Sequence, residues 1–572
     1  MRRHDPPHGL IFLCLLCLFA LLVAACNSAG PPQGSANGSL APAPASQQIL
    51  RYPIGPSDFT SLDPALAQQV IDTFAIQLIF TGVVELNNDG TVIDQLAASH
   101  QISPDGLTYT FYLKPDLKFS DGTPLTASDV AYSINRALLP ATKSTTVANL
   151  TIIKDYDKLA TGKLSTLIGD SIIVRDDHTI SITLGQPAAY FLEALAALPT
   201  AYVVERKLID KYGTQWTDHM NEGGGAGPFK VATYDHNKGL FLVPNPNYAG
   251  PAPRLQKVEL LRSGDTATTY KGYLSGQYDF TQVPTADLAQ ARTRKDFRTA
   301  PALSIVFIAM NYLSRPFDNI KIRQAFALAT NKDLLARTVL HGSVIPTNHL
   351  LPQGVPGYNA SLTGPAGVKS TAGDASKAKQ LLQAGMQEEG YSSLSQLPAI
   401  TLTYPAGDPD LANYTAALQQ EWQTTLGVPV KLNLVDINAF IQMLSSTTGH
   451  TGPLQMWLLE IGNYPDPQGW LSFNFGTGAA YNNMNYGQNN SADVDQQRAV
   501  QAELLKADTN LNSQERIQQY NDAEQKLVND VAWLPLYQAQ ILALINPRLQ
   551  HYTLNSLNII PPDEWGQMYM AQ

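Results

Sequence analysis

The sequence predicts an α/β protein with more than one hydrophobic core. Three observations carry this reading. Helical and strand periodicities alternate along the folded length, no fixed repeat period links them, and 572 residues exceed what one core normally organises. Length alone suggests roughly three or four structural units.

Arg2 and Arg3 precede an apolar run from Leu10 to Ala25, the charged-then-apolar plan of a secretory leader. At roughly 16 residues the run falls short of the ~20 that a membrane-spanning helix needs. Twin-arginine export fits poorly, because His4, Asp5, Pro6 and Pro7 follow the arginine pair. The stretch Leu22-Val23-Ala24-Ala25-Cys26 resembles a bacterial lipobox, which makes Cys26 the expected lipidation site and first mature residue, after a leader of residues 1–25. Cys14 and Cys17 form a C-x-x-C inside that leader, so the mature chain keeps Cys26 alone and forms no internal disulfide. Its stability must come from buried cores, which a chain of this size can build. Residues 26–48 are almost entirely small or polar and read as a flexible spacer between lipid and folded protein.

From Ile49 onward the pattern is globular. Leu107 to Leu113 alternates with period two behind the turn Ser103-Pro104-Asp105-Gly106 and reads as a half-buried strand. Thr126 to Asp129 opens a helix with a capping box, followed by Val130, Ile134 and Leu138 on one face. Ser171 to Leu184 reads as a hairpin around Asp176-Asp177-His178. Longer helices follow: Ile322, Phe326 and Ala329 share a face, as do Leu411, Leu418, Trp422 and Leu426 before Gly427 ends that helix. Val430, Leu432 and Leu434 alternate as a strand. Ile517, Tyr520, Glu524 and Leu527 define a last helix, and Trp533 to Tyr537 reads as extended.

The net charge of −10 and the lack of any Lys/Arg cluster exclude a nucleic-acid binder, which needs a basic stripe to displace counterions. Tyrosine, with 25 copies, outnumbers the 18 Phe and 6 Trp and suits a wet ligand cleft as well as ordinary packing. G-x-S-x-G, H-E-x-x-H and the Gly-Lys-Ser/Thr phosphate loop are all missing, so no enzyme and no cofactor are called for. Gly223 to Gly227 lacks the Lys-Ser/Thr of a phosphate cradle and reads as a tight crossing between lobes. Asp508 to Asn512 imitates half of a calcium loop, but Ser513 replaces the required Gly, and helix capping at Ser513 explains it better. The ten histidines are scattered without ligand spacing, so no metal site is expected.

Several separated blocks, in one order, resemble the family 5 extracellular solute-binding proteins, the oligopeptide- and dipeptide-binding subunits of ABC importers. They include Ser103-Pro104-Asp105-Gly106 through Phe111, Phe119-Ser120-Asp121-Gly122-Thr123-Pro124 through Val130, and Gly225-Ala226-Gly227-Pro228-Phe229-Lys230 with Asn245-Pro246-Asn247-Tyr248. Others are Tyr273 to Phe280, Asn311-Tyr312 with Pro316-Phe317-Asp318, Tyr464-Pro465-Asp466-Pro467, and Tyr520 to Gln525. The resemblance implies a two-lobed periplasmic-binding-protein clamp, type II-like, with an extra subdomain inserted in lobe one. The implied division is roughly 49–87, 218–304 and 531–572 for lobe one, 88–217 for the insert and 305–530 for lobe two. It also implies a monomer that captures an oligopeptide, closes around it and delivers it to permease subunits, with the ATPase subunits engaged only indirectly. The alternative is the same clamp adapted to an oligosaccharide or a metal chelate.

The resemblance further implies a ligand site at Asn311, Asn463, Tyr464, Asp466, Trp470, Asn485 and Tyr486. A sugar reading would use Trp470, Tyr481, Asn482, Asn483, Asn485 and Tyr486, which otherwise form a polar surface loop. In peptide-binding relatives an aspartate near the position of Asn463 pairs with the peptide's α-ammonium. An amide cannot neutralise that charge, so free-amine peptides should bind weakly unless Asp466 supplies a carboxylate; Asp466 could instead cap the turn before Pro467.

Overall fold

The computed structural model describes residues 40–572 apart from 68, 145 and 558. The expected lipidation site Cys26 therefore lies outside the described residues. Among those described, no helix is long and apolar enough to cross a membrane.

The first lobe is built on a four-stranded sheet. Ile49–Pro53 runs parallel to Lys257–Leu261, which pairs antiparallel with Gly239–Pro244, and that strand pairs with Phe229–Asp235. Inward residues such as Leu50, Leu240 and Val258 meet Ile76 and Ile79 of helix Val70–Ile79, and Trp565 and Met568 close the same core from the far end of the chain. The spacer reading fails over its last stretch. Gln48 is buried, donates to Met570 O and accepts from Met570 N, both at 2.8 Å, and Ala43 N donates to the same carbonyl. Two-way bonding of this kind fixes the backbone despite its polar, small-residue composition.

The inserted unit is an antiparallel sheet ordered Ala97–Ile102, Thr108–Leu113, Thr179–Thr183, Ile172–Asp176. Helix Ala127–Leu138 lays its Val130, Ile134 and Leu138 face on that sheet, and its start carries the expected capping box between Thr126 and Asp129. The insert's core already includes Val83, Val84 and Leu86 and runs along the chain to Val203, with Ala226 and Tyr464 added from farther on, whereas Tyr202, Val204, Trp216 and Met220 pack into the first lobe. Gly225 and Gly227 join these two units, not the two lobes. A Cβ on Gly225 would sit 2.2 Å from Ile79 O, Gly227 N donates to that same oxygen, and Gly225 O accepts from Ser120 N of the insert. Only glycine permits so close an approach to a helix end.

The second lobe surrounds a sheet ordered Phe280–Gln282, Leu534–Ile545, Phe297–Met310, Met456–Gly462, Ile400–Pro405, Val430–Val435. One face carries Val306, Ile308, Phe326, Leu418 and Trp422; the other carries Ile305, Phe307, Trp457, Leu527 and Trp533. Helix Pro409–Leu426 ends as expected at Gly427, whose φ of +73° is the left-handed conformation glycine adopts freely. Val430–Val435 is an edge strand, so Leu434 is 56% exposed despite the apolar alternation. The last helix, Ser513–Asp530, is capped by Asn512 Oδ1 accepting from Glu515 N, one residue before the expected Ser513.

Two long strands join the lobes. Phe297–Met310 and Leu534–Ile545 pair antiparallel, with register shifts between Pro301 and Ile305 and between Val306 and Phe307. On one side of these irregularities Ala543 and Ile545 pack in the first lobe; on the other, Leu534, Leu536 and Tyr537 pack in the second. The crossing therefore falls within the strands, several residues beyond the expected switch at Asp530. A bulge bends a strand without cutting it, which suits a hinge.

Candidate functional site

Three neighbouring strands of the second lobe, Ile400–Pro405, Val430–Val435 and Met456–Gly462, run parallel and end on one edge of the sheet. Ligands of open parallel sheets gather outside the carboxyl ends of the strands. Beyond Gly462 the chain turns through Asn463 and Tyr464 into a short helix, Pro467–Trp470. Facing this turn are the start of helix Val70–Ile79 from the first lobe and Ala197 to Pro199 from the insert. Together they line a half-open cavity of about 330 Å³, with Leu557 and Ile559 completing its wall. A second hollow of about 350 Å³ shares Val70 and Phe74 with it and continues past Tyr52 to Asp265 and Phe280. Its floor is a stack in which Tyr52 lies between Phe74 and Phe280, ring centroids 4.6 Å apart on both sides. Val70, at the lip, is 68% exposed, an unusual position for a large aliphatic side chain.

The strand Met456–Gly462 is hydrogen-bonded along its whole length to Ser304–Met310, but on its other side only Met456 and Trp457 have strand partners. From Leu458 to Gly462 that edge is unpaired by any strand among the described residues. Its last residue, Gly462, lines the cavity, and an unpaired strand edge is the kind of surface to which an extended ligand adds.

Of the residues singled out in the sequence, Asn463 and Tyr464 line the cavity. Asn463 Oδ1 accepts from Tyr464 N at 2.9 Å and its Nδ2 donates to Gly469 O at 2.6 Å, so the amide is held within its own turn. The Tyr464 hydroxyl donates to Gln468 Oε1, and burial pushes this phenol well up. Asp466 does not reach the cavity as a free carboxylate. It caps the short helix, accepting from Gln468 N at 2.8 Å, and Arg516 grips both its oxygens at 2.7 and 2.6 Å. Both members of this pair are buried, and its fork geometry leaves the carboxylate matched.

Trp470, Asn485, Tyr486 and Asn311 are not cleft residues. Trp470 is fully buried and donates its indole N–H to Tyr464 O at 3.0 Å, supporting the cavity turn from behind. Tyr486 is buried with its hydroxyl on Asp530 Oδ2 at 2.7 Å. Asn485 Nδ2 donates to Asn311 Oδ1 at 2.9 Å, and both amides tie down the loop from Thr447 to Leu454. Asn311 follows Met310, which pairs with Met456, whereas the cavity lies past Gly462. At about 3.3 Å per residue that is roughly 20 Å away, at the opposite end of the sheet. The sugar platform and the polar surface loop both fail for the same reason: Asn482, Asn485 and Tyr486 are interior, and only Tyr481 of that stretch keeps an exposed ring, stacked 4.6 Å from Phe473. Tyr52, Val70 and Phe74 are the cleft residues that sequence reasoning missed.

Glu193 stands behind the cavity wall, on helix Phe191–Ala197. Its Oε2 is buried without a hydrogen-bond partner. Burial, reinforced by the nearby Asp466 carboxylate, pushes its pKa up to about 7.

Two lobes joined by crossing strands, with a half-open cavity between them, define an α/β periplasmic-binding-protein fold. The structure of the Escherichia coli murein tripeptide binding protein MppA superposes with a TM-score of 0.73 at 26% identity, covering 93% of this chain and 100% of that one. A profile of the bacterial extracellular solute-binding proteins, family 5, middle, matches residues 91–482, and the chain belongs to this family. It is a solute-binding protein and not an enzyme. The oligopeptide-binding protein OppA of Bacillus subtilis is 28% identical over 465 residues, 80% of this chain and 82% of that protein. The probable deoxycholate-binding periplasmic protein YgiS of Escherichia coli is 31% identical over 416 residues, 71% of this chain and 74% of its own length.

Proposed function

We propose that this chain captures peptide-type ligands outside the cytoplasmic membrane and delivers them to the permease of an ABC importer. The observation that carries the reading is the unpaired strand edge from Leu458 to Gly462, whose last residue meets a half-open cavity between lobes. An extended main chain is the ligand that such an edge suits, with side chains falling to alternate walls. The names of OppA and MppA, an oligopeptide binder and a murein tripeptide binder, support it. Asn463 and Tyr464 contact the ligand from the second lobe, and Val70 and Phe74 from the first. Closure about the bulged strands favours whichever lobe arrangement the ligand binds more tightly, and the closed monomer is what the permease distinguishes. The ATPase subunits act at a further remove. A lipid on Cys26 keeps the receptor at the membrane.

A second reading, the same clamp for a non-peptide solute, is favoured by the mixed apolar lining of the cavity and by the deoxycholate in the name of YgiS. Mass spectrometry of the material released when the purified protein is denatured separates the two. Short peptides are expected, and a steroid, glycan or chelate without peptides would overturn the first reading. For the tether, Cys26→Ser should move the protein from the membrane to the soluble fraction; retention after a high-salt wash would refute lipid anchoring.

A further inference from the structure

Resting on the cleft reading above, we infer that the inter-lobe cavity takes an uncharged, largely apolar portion of its ligand and discriminates against a free ammonium or carboxylate. Among the described residues the cavity wall contains no Asp, Glu, Lys, Arg or His; its polar side chains are Gln69, Thr73, Thr146, Asn463 and the Tyr464 hydroxyl. Of these, Asn463 has its amide oxygen and nitrogen both engaged within the turn, and the Tyr464 hydroxyl is turned onto Gln468. Asp466, the carboxylate in the same turn as Asn463, is not part of the wall and is already matched by both arms of Arg516 and by a helix N–H. Glu193, four residues before Ala197 on the insert's helix, has a donorless oxygen but is not part of the cavity wall.

Once the lobes close over the ligand, a charge against this wall loses its water and gains no counter-ion from it, and the loss is borne by the complex. Apolar groups meet Val70, Phe74, Leu86 and Leu198 instead. The ligand class this favours is a peptide blocked at its ends or cyclised, or a neutral apolar solute of similar width.

The test uses two matched pairs, titrated calorimetrically against the purified protein: trileucine against N-acetyl-trileucine amide, and deoxycholate against its methyl ester. The uncharged member of a pair should bind at least about 10-fold more tightly, a difference of about 1.4 kcal/mol. Two variants place a carboxylate on opposite walls, Asn463→Asp and the exposed Val70→Glu, and each should raise free trileucine relative to its blocked form by a similar factor. Tighter binding of the charged member in wild type would overturn the inference, as would binding by neither uncharged probe. If the ester binds and neither form of trileucine does, the peptide reading fails and the uncharged pocket stands.

Discussion

Replacing Glu193 by glutamine should make the protein more resistant to unfolding at pH 8 while leaving it unchanged near pH 4. The insert's Glu193 is packed toward the second lobe, where Asp466 repels and Arg516 attracts it, with Tyr109 and Tyr190 from its own unit alongside. Its pKa rises from the ordinary 4.5 to about 7, chiefly because burial strips the carboxylate of water. Below 4.5 the folded and unfolded chains both hold the proton, and the group contributes full stability. Between 4.5 and about 7 the unfolded chain releases the proton while the folded one keeps it, so stability falls as pH rises through this window. At about 1.4 kcal/mol per unit, the deficit reaches roughly 3 kcal/mol above pH 7. Glu193→Gln mimics the protonated form and removes the slope. Urea unfolding of both proteins from pH 4 to 8 should give a difference near zero in acid that grows to that value. Because Asp508 is pushed up to about 6 and Glu85 to about 7, only the difference between the two proteins isolates Glu193. A difference that does not vary with pH, or a variant weaker than wild type at pH 8, would refute the reasoning.

Arg516→Ala should cost about 3–5 kcal/mol in chemical denaturation, since it leaves Asp466 buried and unmatched, and adding Asp466→Asn should restore part of that loss. Gly225→Ala forces a methyl against Ile79 O and is expected to lower stability by about 1–3 kcal/mol, seen as a reduced melting temperature; an unchanged melting temperature would mean the helix end can yield. Trp470→Ala empties a fully buried site and should cost about 3–5 kcal/mol of stability by urea titration. Loss of ligand affinity from that variant without loss of stability would put the indole back in the cleft.

Local chemistry was legible in the sequence and distant pairing was not. The capping box at Thr126, the hairpin from Ser171 and the glycine stop at Gly427 each depend on residues within a few positions, and all three stand as read. The family blocks likewise pointed to the right fold. The site was harder, because a polar side chain reads as exposed until its partners are known. Asn485 and Asn311 lie 174 residues apart and satisfy each other in the interior. Asp466 looked available because Arg516, 50 residues on, could not be paired with it from spacing. Val70 and Phe74 had the opposite problem: apolar residues at a helix start look like core, and only the fold reveals that they face a cavity.

The order in which the chain is made matters for the first lobe. Leu50 and Met570 share one core, and Gln48 is bonded to Met570 on both sides of its peptide group. The insert and most of the second lobe have their residues in hand well before synthesis ends, and domains commonly fold in that order. The first lobe closes last: Ile49–Pro53 has its sheet partner once Lys257–Leu261 is made, but the stretch before it, Ala43 to Gln48, waits for residues made some 500 positions later. That seam stays open until Tyr569 and Met570 arrive to close it. Any truncation of that last strand would strip Ala43 and Gln48 of their bonds to Met570, however well the rest of the molecule had folded.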